Sequence, residues 1–432
     1  MNKKVLIIGG ILVFVVLMVI LVLSKGGTGT KPKPAQAELV WWKTFEDPSN
    51  LDQIATDFGA ANKGITVRIV KKDPANYEKE LVDALASGKG PDIFTIHNDW
   101  VLRHSDKISP MPDALMTVRQ YNDTFLDVAS SDFIKDSKIY AVPLSVDVLA
   151  LYYNRDMLNS VGISQPPKTW DEVASAVQRL AKVDRTTGDF NPAGIAMGTS
   201  ANVNRAVDIL SLLMLQKGAV MYDTVNNTPA FNRELTKNDE KYNPGVEALK
   251  YYTQFANPSN RVYSWNAKAN NSIDAFSQNK LAMMLSYSYM RERIQAKAPT
   301  LNWGVAAAPQ EEDSEMKKVN FANYWGESVS KASKNPDLAW EFLKYATEKA
   351  QLAKLYEKHK LPASRKDMIQ DQYSDLDIGV FAENAPFAKS AYKQDPATFE
   401  NVFLELIDAV VLKNTDPKAA ISQAAQKLMI GK

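Results

Sequence analysis

Between Leu39 and Ile96 the chain alternates short strand-like runs with helical faces, and this alternation restricts the fold more than any other feature. Leu39–Trp42 is a compact apolar run of strand type. Leu51, Ile54, Ala55 and Phe58 then recur at helical spacing. Ile65, Val67 and Ile69 alternate with Thr66, Arg68 and Val70, which is strand spacing. Leu81, Val82 and Leu85 form another helical face that Gly88 closes as the residue after the cap. Asp92–Ile96 is the next strand, entered through Pro91. A βαβαβ run implies parallel strands joined by helical crossovers, hence an α/β protein.

The same grammar continues downstream. Thr169-Trp170-Asp171-Glu172 fits a capping box, with Val173, Val177 and Leu180 facing inward. Asn243-Pro244 and Asn335-Pro336 each place a capping residue before a proline at the first helical position. Ala339, Phe342, Leu343 and Ala346 line one helical face. Gly194–Met197, Leu281–Leu285 and Trp303–Ala307 read as strands, and Asp223–Tyr242 as a polar surface excursion. Asp184–Asp189 lacks the spacing of an EF-hand loop and reads as a turn.

With 432 residues the chain exceeds what one hydrophobic core usually serves, so two lobes are expected. Lys+Arg 51 against Asp+Glu 50 leaves no basic excess of the kind a nucleic-acid binder carries. The absence of cysteine removes thiolate metal sites, cysteine nucleophiles and disulfides. His97, His104 and His359 are the only histidines and lack paired-ligand spacing. No cofactor and no metal are expected.

Val5–Leu23 is an uncharged apolar run preceded by Lys3 and Lys4. As a helix it would be about 28 Å long, close to the roughly 30 Å hydrocarbon core of a bilayer. A cleaved signal peptide is the competing reading, but its apolar region is usually shorter, and Ala35-Gln36-Ala37 lies far past the run. The expectation is an uncleaved transmembrane anchor over 1–24 and a Gly/Lys/Pro-rich stalk over 25–37.

Tyr140-Ala-Val-Pro143, Leu151-Tyr-Tyr-Asn-Arg-Asp-Met-Leu158 and Pro166-Pro-Lys-Thr-Trp-Asp-Glu172 stand in that order. Ala86–Phe94 precedes them; Phe276–Met284, Asn335–Leu343 and Leu361-Pro-Ala-Ser-Arg365 follow. Together, from about residue 38 to the end, they resemble the family 1 extracellular solute-binding proteins of ABC importers, the group of maltose- and oligosaccharide-binding receptors. The resemblance implies a two-lobed periplasmic-binding-protein-like fold of type II, closing by a hinge on a solute held between the lobes. It implies crossings near 145–149, 270 and 320–326. Lobe 1 would then hold 38–145 plus about 273–322, and lobe 2 the segment 146–272 plus about 323–432. The implied partners are a small solute, with a carbohydrate expected, and an ABC permease in the membrane. The chain is expected to act as a monomer, tethered at the outer face of the cytoplasmic membrane. Members that carry a lipid on an N-terminal cysteine differ here, and Val5–Leu23 could do the same tethering.

A sugar presents apolar C–H faces and hydroxyl edges, so its site needs flat rings and convergent polar groups. Strand ends facing the cleft should carry them. Trp41 and Trp42 end the first strand, and alternation lets only one face a given side; core packing is the alternative for either. Glu46 in the next loop could accept a hydroxyl or be a solvated carboxylate. Asn98 and Trp100 follow the strand ending at Ile96, beside His97, which serves equally as a structural histidine. Ser145 and Asp147 sit at the first crossing, where Asp147 could read hydroxyls or cap a turn. Trp265, Tyr287 and Tyr289 lie near later strand ends. Tyr324 and Trp325 precede Gly326 at the third crossing and form the foremost candidate pair. Arg365 could reach the ligand or form a structural salt bridge. Trp170, Trp340, Met283 and Met284 are expected to pack inside.

These features point to a receptor with no catalysis. A glycoside-active enzyme using paired carboxylates is the second reading, although no nucleophile elbow, phosphate loop or metal signature occurs. A membrane-tethered ligand sensor on the same fold is the third.

Overall fold

The computed structural model describes residues 36–45, 49, 51–184, 186–237, 239–312 and 317–430. The expected anchor Val5–Leu23, nearly all of the expected stalk and the candidate Glu46 lie outside the described residues. Among the described residues no helix is long and apolar enough to cross a membrane.

The opening βαβαβ unit forms as its periodicity predicts: β1 (Ala37–Lys43), α1 (Asp52–Ala61), β2 (Ile65–Lys71), α2 (Tyr77–Ala86) and β3 (Ile93–His97). β1 lies parallel to both β2 and β3, with Trp41 opposite Ile69 and Ile93. Ile93–Ile96 is buried throughout, as befits a central strand covered on both faces. Gly88 takes φ +68° after α2, and the amide of Lys89 returns to the Ala84 carbonyl at 3.0 Å, the left-handed helix stop predicted for it. α3 (Asp127–Phe133) and β4 (Val142–Pro143) end this pass.

The chain then crosses to a second sheet. β5 (Ala150–Asn154), α4 (Trp170–Leu180), β6 (Ala193–Ile195), α5 (Ala206–Gln216), α6 (Pro244–Thr253), β7 (Leu281–Ser286) and β8 (Trp303–Ala307) follow, with strand order β8-β5-β7-β6. The capping box of α4 is complete: the Glu172 amide donates to Thr169 Oγ1 and the Thr169 amide to Glu172 Oε2. Asn243 caps α6 by accepting from the Val246 amide at 3.1 Å. Asp223–Tyr242 forms two small hairpins, and Asp184 closes a turn on the amides of Thr186 and Thr187.

β9 (Asn320–Phe321) leads back, and β10 (Trp325–Val329) enters the first sheet, completing the order β2-β1-β3-β10-β4. α7 (Pro336–Ala346) and α8 (Lys349–His359) cover that sheet. Phe342 packs edge-on against Trp41 and Phe58 at 5.4 and 5.2 Å, and Lys354 pairs with Asp57 of α1. Asn335 makes no side-chain bond to the helix it precedes, so Pro336 alone marks that start. β11 (Ala388–Lys389), α9 (Pro396–Val411) and α10 (Pro417–Ile430) complete the chain, and Phe403 of α9 packs on Phe231 in the second lobe.

Strand pairing corrects the expected lobe boundaries. Residues 273–322 do not return to lobe 1: β7 and β8 both pair with β5 in the second sheet. There is no crossing near 270, where the Ser272 amide donates to Asn202 within lobe 2. Conversely 325–359 belongs to lobe 1, because β10 pairs with β3 and β4. The hinge is a set of short extended contacts, Ser145 with Ala363, Val148 with Ala322, and β9 with β11.

Candidate ligand-binding cleft

The first wall lies at the carboxyl ends of β1 and β3. β10 runs antiparallel to β3, so its first residue, Trp325, is paired with the last residue of β3, His97. The half-buried Trp325 ring is the hub of an aromatic cluster. His97 and Trp100 meet it edge-on at 4.8 and 5.3 Å, and Phe45 meets it tilted at 5.2 Å. Phe45 is 55% exposed and Trp100 only 7%, so the usable apolar surface is the Phe45–Trp325 edge. Beneath it, the Glu327 carboxylate accepts from Trp41 Nε1 at 2.7 Å and from Thr95 Oγ1 at 3.2 Å, and forms a buried ion pair with Lys43. These bonds tie β1, β3 and β10 together directly under the cluster.

The second wall follows β7. Tyr287 and Tyr289 stack with ring centres 6.3 Å apart and 20° between planes. Tyr152 of β5 donates to the Tyr287 carbonyl at 2.6 Å, and the Tyr287 hydroxyl donates to Asp208 Oδ2 at 2.9 Å. Burial first, then the Asp208 charge, pushes the Tyr287 phenol well up. Tyr289 is 39% exposed. Its hydroxyl accepts from Arg205 Nε and Nη2 at 3.1 and 3.0 Å.

Between the walls, Asn323 connects both sides: its Oδ1 lies 3.3 Å from His97 Nε2, and its amide donates to the Asp147 carbonyl at 3.2 Å. His97 Nδ1 contacts Asp99 at 2.6 Å. Burial opposes ionisation of Asp99, but His97, Lys393 and Arg103 together hold its carboxyl below the usual range. Two ion pairs join lobe 1 to the segment entering α9: Lys393 with Asp99 at 3.8 Å and Arg103 with Asp395 at 3.7 Å.

Asp147 is a hinge clamp. Its carboxylate accepts from the Ser288 amide at 3.0 Å, the Ser288 hydroxyl at 2.7 Å and the Val148 amide at 2.9 Å. Burial nevertheless pushes its pKa up to about 6. Of its two anticipated roles, the turn-capping one is what these bonds show. Asp132 of α3 is a second clamp, accepting from Tyr324 at 2.7 Å, from Asn98 at 3.1 Å and from Ser390. Burial likewise pushes Asp132 up to about 6.

The predicted candidates therefore divide. At the two walls only Trp325 and Tyr289 among them present partly exposed ring surface; Trp100 and Tyr287 are buried behind them, and Asp147 is bonded into the hinge. Trp41 is fully buried against Phe342. Trp42 points to the opposite face of β1, with Lys72 Nζ 3.7 Å over its ring. Strand alternation sends Trp41 and Trp42 to opposite sides, and Phe45, two residues past β1, reaches the cleft instead. Tyr324 corrects the foremost pair: it is 3% exposed, packed edge-on to Phe133 and bound to Asp132. Asn98 is buried and bound to the same carboxylate. Ser145 contributes a hinge bridge to Ala363. Trp265 is 1% exposed and borders a separate cavity of about 380 Å³ with Phe190, Asn266 and Lys280. Arg365 forks onto Asp367 with two bonds of 2.9 Å and donates to the Thr347 carbonyl, the structural role foreseen as its alternative.

Arg205, Asn323, Phe45 and Lys393 were not singled out from sequence. Asn323 and Phe45 adjoin singled-out positions, but Arg205 stands in a polar stretch, Ser200–Arg205, with no motif to flag it. Trp170, Trp340, Met283 and Met284 are buried as predicted.

This two-lobed α/β fold is found again in known proteins. The cyclo/maltodextrin-binding protein crystallised with maltotetraose superposes with a TM-score of 0.75 over 93% of this chain and 98% of its own, at 18% identity. The multiple sugar-binding protein of Streptococcus mutans serotype c is 24% identical over 335 residues, 77% of this chain and 76% of the relative. The maltodextrin-binding protein MdxE of Bacillus subtilis is 25% identical over 315 residues, 71% and 68% respectively. The family model for bacterial extracellular solute-binding proteins matches residues 42–353; that span takes in both sheets and the Trp325 wall, and the chain belongs to this family.

Proposed function

We propose that the chain is the solute receptor of an ABC importer and that its solute is an uncharged oligosaccharide held between the Phe45–Trp325 edge and Tyr289. The observation that carries this is the pairing of an exposed ring surface on each lobe with walls whose charges are largely cancelled. Arg205 lies beside Asp208, Lys393 beside Asp99, and Arg103 between Glu78 and Asp395. Apart from Arg293, 5.6 Å from the Tyr289 ring, a charged solute would meet little uncompensated charge there. A polyhydroxylated ring could stack on the aromatic faces and use the side chains between them. Sugar-binding and maltodextrin-binding relatives support the same class. Closure about the hinge would bring the two ring surfaces onto one ligand, which then stabilises the closed form by touching both lobes. The run Val5–Leu23 would hold the receptor at the outer face of the membrane, beside the permease that accepts the solute.

The test is a panel of neutral oligosaccharides, uronic acids, polyols and amino acids against the full chain, read by tryptophan fluorescence and thermal shift. A neutral oligosaccharide of three or more residues should bind with a Kd on the order of 1 μM, about −8 kcal/mol. Selective binding of an amino acid or an anionic solute, or no response to any sugar, would overturn the reading.

A further inference from the structure

Arg205 precedes α5 in the left-handed region, at φ +63°. A bulky residue that is not Asn or Asp rarely takes that conformation, and doing so costs on the order of 1 kcal/mol or more. The strain is informative because of where it puts the side chain. The guanidinium lies over both Tyr287 and Tyr289, 5.2 and 5.7 Å from their ring centres. It forks two N–H donors onto the single hydroxyl oxygen of Tyr289, and its Nη1 is 3.7 Å from Asp208 Oδ2. Asp208 in turn holds the Tyr287 hydroxyl. Two stacked rings, one cation and one anion thus close a four-membered cycle, and only Tyr289 presents a broad exposed surface.

We infer that Arg205 is the positioning residue that fixes the plane of Tyr289 as the second-lobe stacking surface for the ligand. The inference rests on the cleft reading given above. A half-exposed tyrosine after a strand end would otherwise turn about its side-chain bonds, and ordering it on binding would weaken the complex. A planar guanidinium can stack and fork at once; the ammonium of lysine can do neither. Among the described residues nothing else on this wall substitutes for it: Arg293 lies near the Tyr289 ring at 5.6 Å, with no bond to the hydroxyl.

The experiment is a double-mutant cycle on the full chain, with affinity for the best-binding neutral oligosaccharide measured by calorimetry and Tm measured in parallel. Arg205→Lys and Tyr289→Phe should each weaken binding about tenfold. The double variant should also lose about tenfold and not a hundredfold, because both changes remove the same fork. Tm should move by no more than about 2 °C in either single variant, since the pair is partly solvent-exposed. Trp325→Ala serves as the reference for the site. If Trp325→Ala weakens binding while Arg205→Lys does not, or if the two losses multiply, the role of Arg205 is wrong and the cleft stands. If Trp325→Ala leaves binding unchanged, the cleft reading itself fails and this inference with it.

Discussion

Replacing Asp147 with asparagine should stabilise the protein at neutral pH, even though Asp147 makes three hydrogen bonds at the hinge. The folded-state pKa of about 6, against an ordinary 3.8, means that burial outweighs those bonds when the carboxylate is charged. The direction follows from proton binding. Between about pH 4 and pH 6 the folded state holds more protons than the unfolded state, so stability falls as pH rises through that window. The interval corresponds to about 3 kcal/mol, at about 1.4 kcal/mol per pH unit. Asparagine resembles the protonated acid, and its Oδ1 can still accept from Val148 and Ser288 while the Ser288 hydroxyl turns to accept from Nδ2. Asp147→Asn should therefore match the parent near pH 4 and exceed it by up to about 3 kcal/mol at pH 7.5. With an unfolding entropy of roughly 2 cal/mol/K per residue over the folded part, that is a Tm rise of about 4 °C. Urea unfolding at pH 4, 5, 6 and 7.5, followed by circular dichroism, measures it. Destabilisation at pH 7.5 by more than about 1 kcal/mol, with a parent curve flat across the window, would show that the hydrogen bonds prevail over burial and refute the reasoning.

Asp132 carries the same signature, so Asp132→Asn should flatten the remaining fall in stability between about pH 4 and 6 in the same unfolding series. Trp325→Ala should weaken solute binding by at least tenfold in calorimetry, as expected of an aromatic anchor worth about 2 kcal/mol. Tyr324→Phe should lower stability by about 1–2 kcal/mol through loss of the bond to buried Asp132, while leaving solute affinity within twofold. A Cβ on Gly326 would come within 2.7 Å of the Phe133 ring, so Gly326→Ala should cost about 1–3 kcal/mol and, by shifting β10, also weaken binding.

The sequence carried the local elements well and their membership poorly. Periodicity and capping chemistry are local, so β1 to β3, the capping box at Thr169 and the strand Trp303–Ala307 could be read directly. Leu281–Ser286 is buried at every position and apolar up to Leu285; such a run announces a central strand but not which sheet it joins. β10 enters an otherwise parallel neighbourhood in the opposite sense, a direction invisible in residue spacing. The same limit acts on side chains. Trp41 and Trp42 are adjacent aromatics on one strand, and alternation guarantees that one faces away without saying which; Tyr324 lies just before β10, and its neighbour Trp325 opens it. Arg205 was beyond reach for another reason: its role depends on a left-handed backbone that arginine does not advertise, and on Tyr289 lying 84 residues away in sequence.

The hinge adds a mechanical consequence to this geometry. Asn323 lies two residues before Trp325 and joins His97 of lobe 1 to the Asp147 carbonyl of the first crossing. Asp147 meanwhile grips Ser288, which sits between the two stacked tyrosines of lobe 2. A rotation between the lobes is thus referred at one end to the segment that carries Trp325 and at the other to the segment that carries Tyr289. Both ring surfaces are thus tied to residues at the hinge instead of to distant loops, so a hinge rotation would be expected to change their separation. Under the proposed function, a ligand touching both rings would hold the hinge itself, and binding energy would then act on the angle between the lobes.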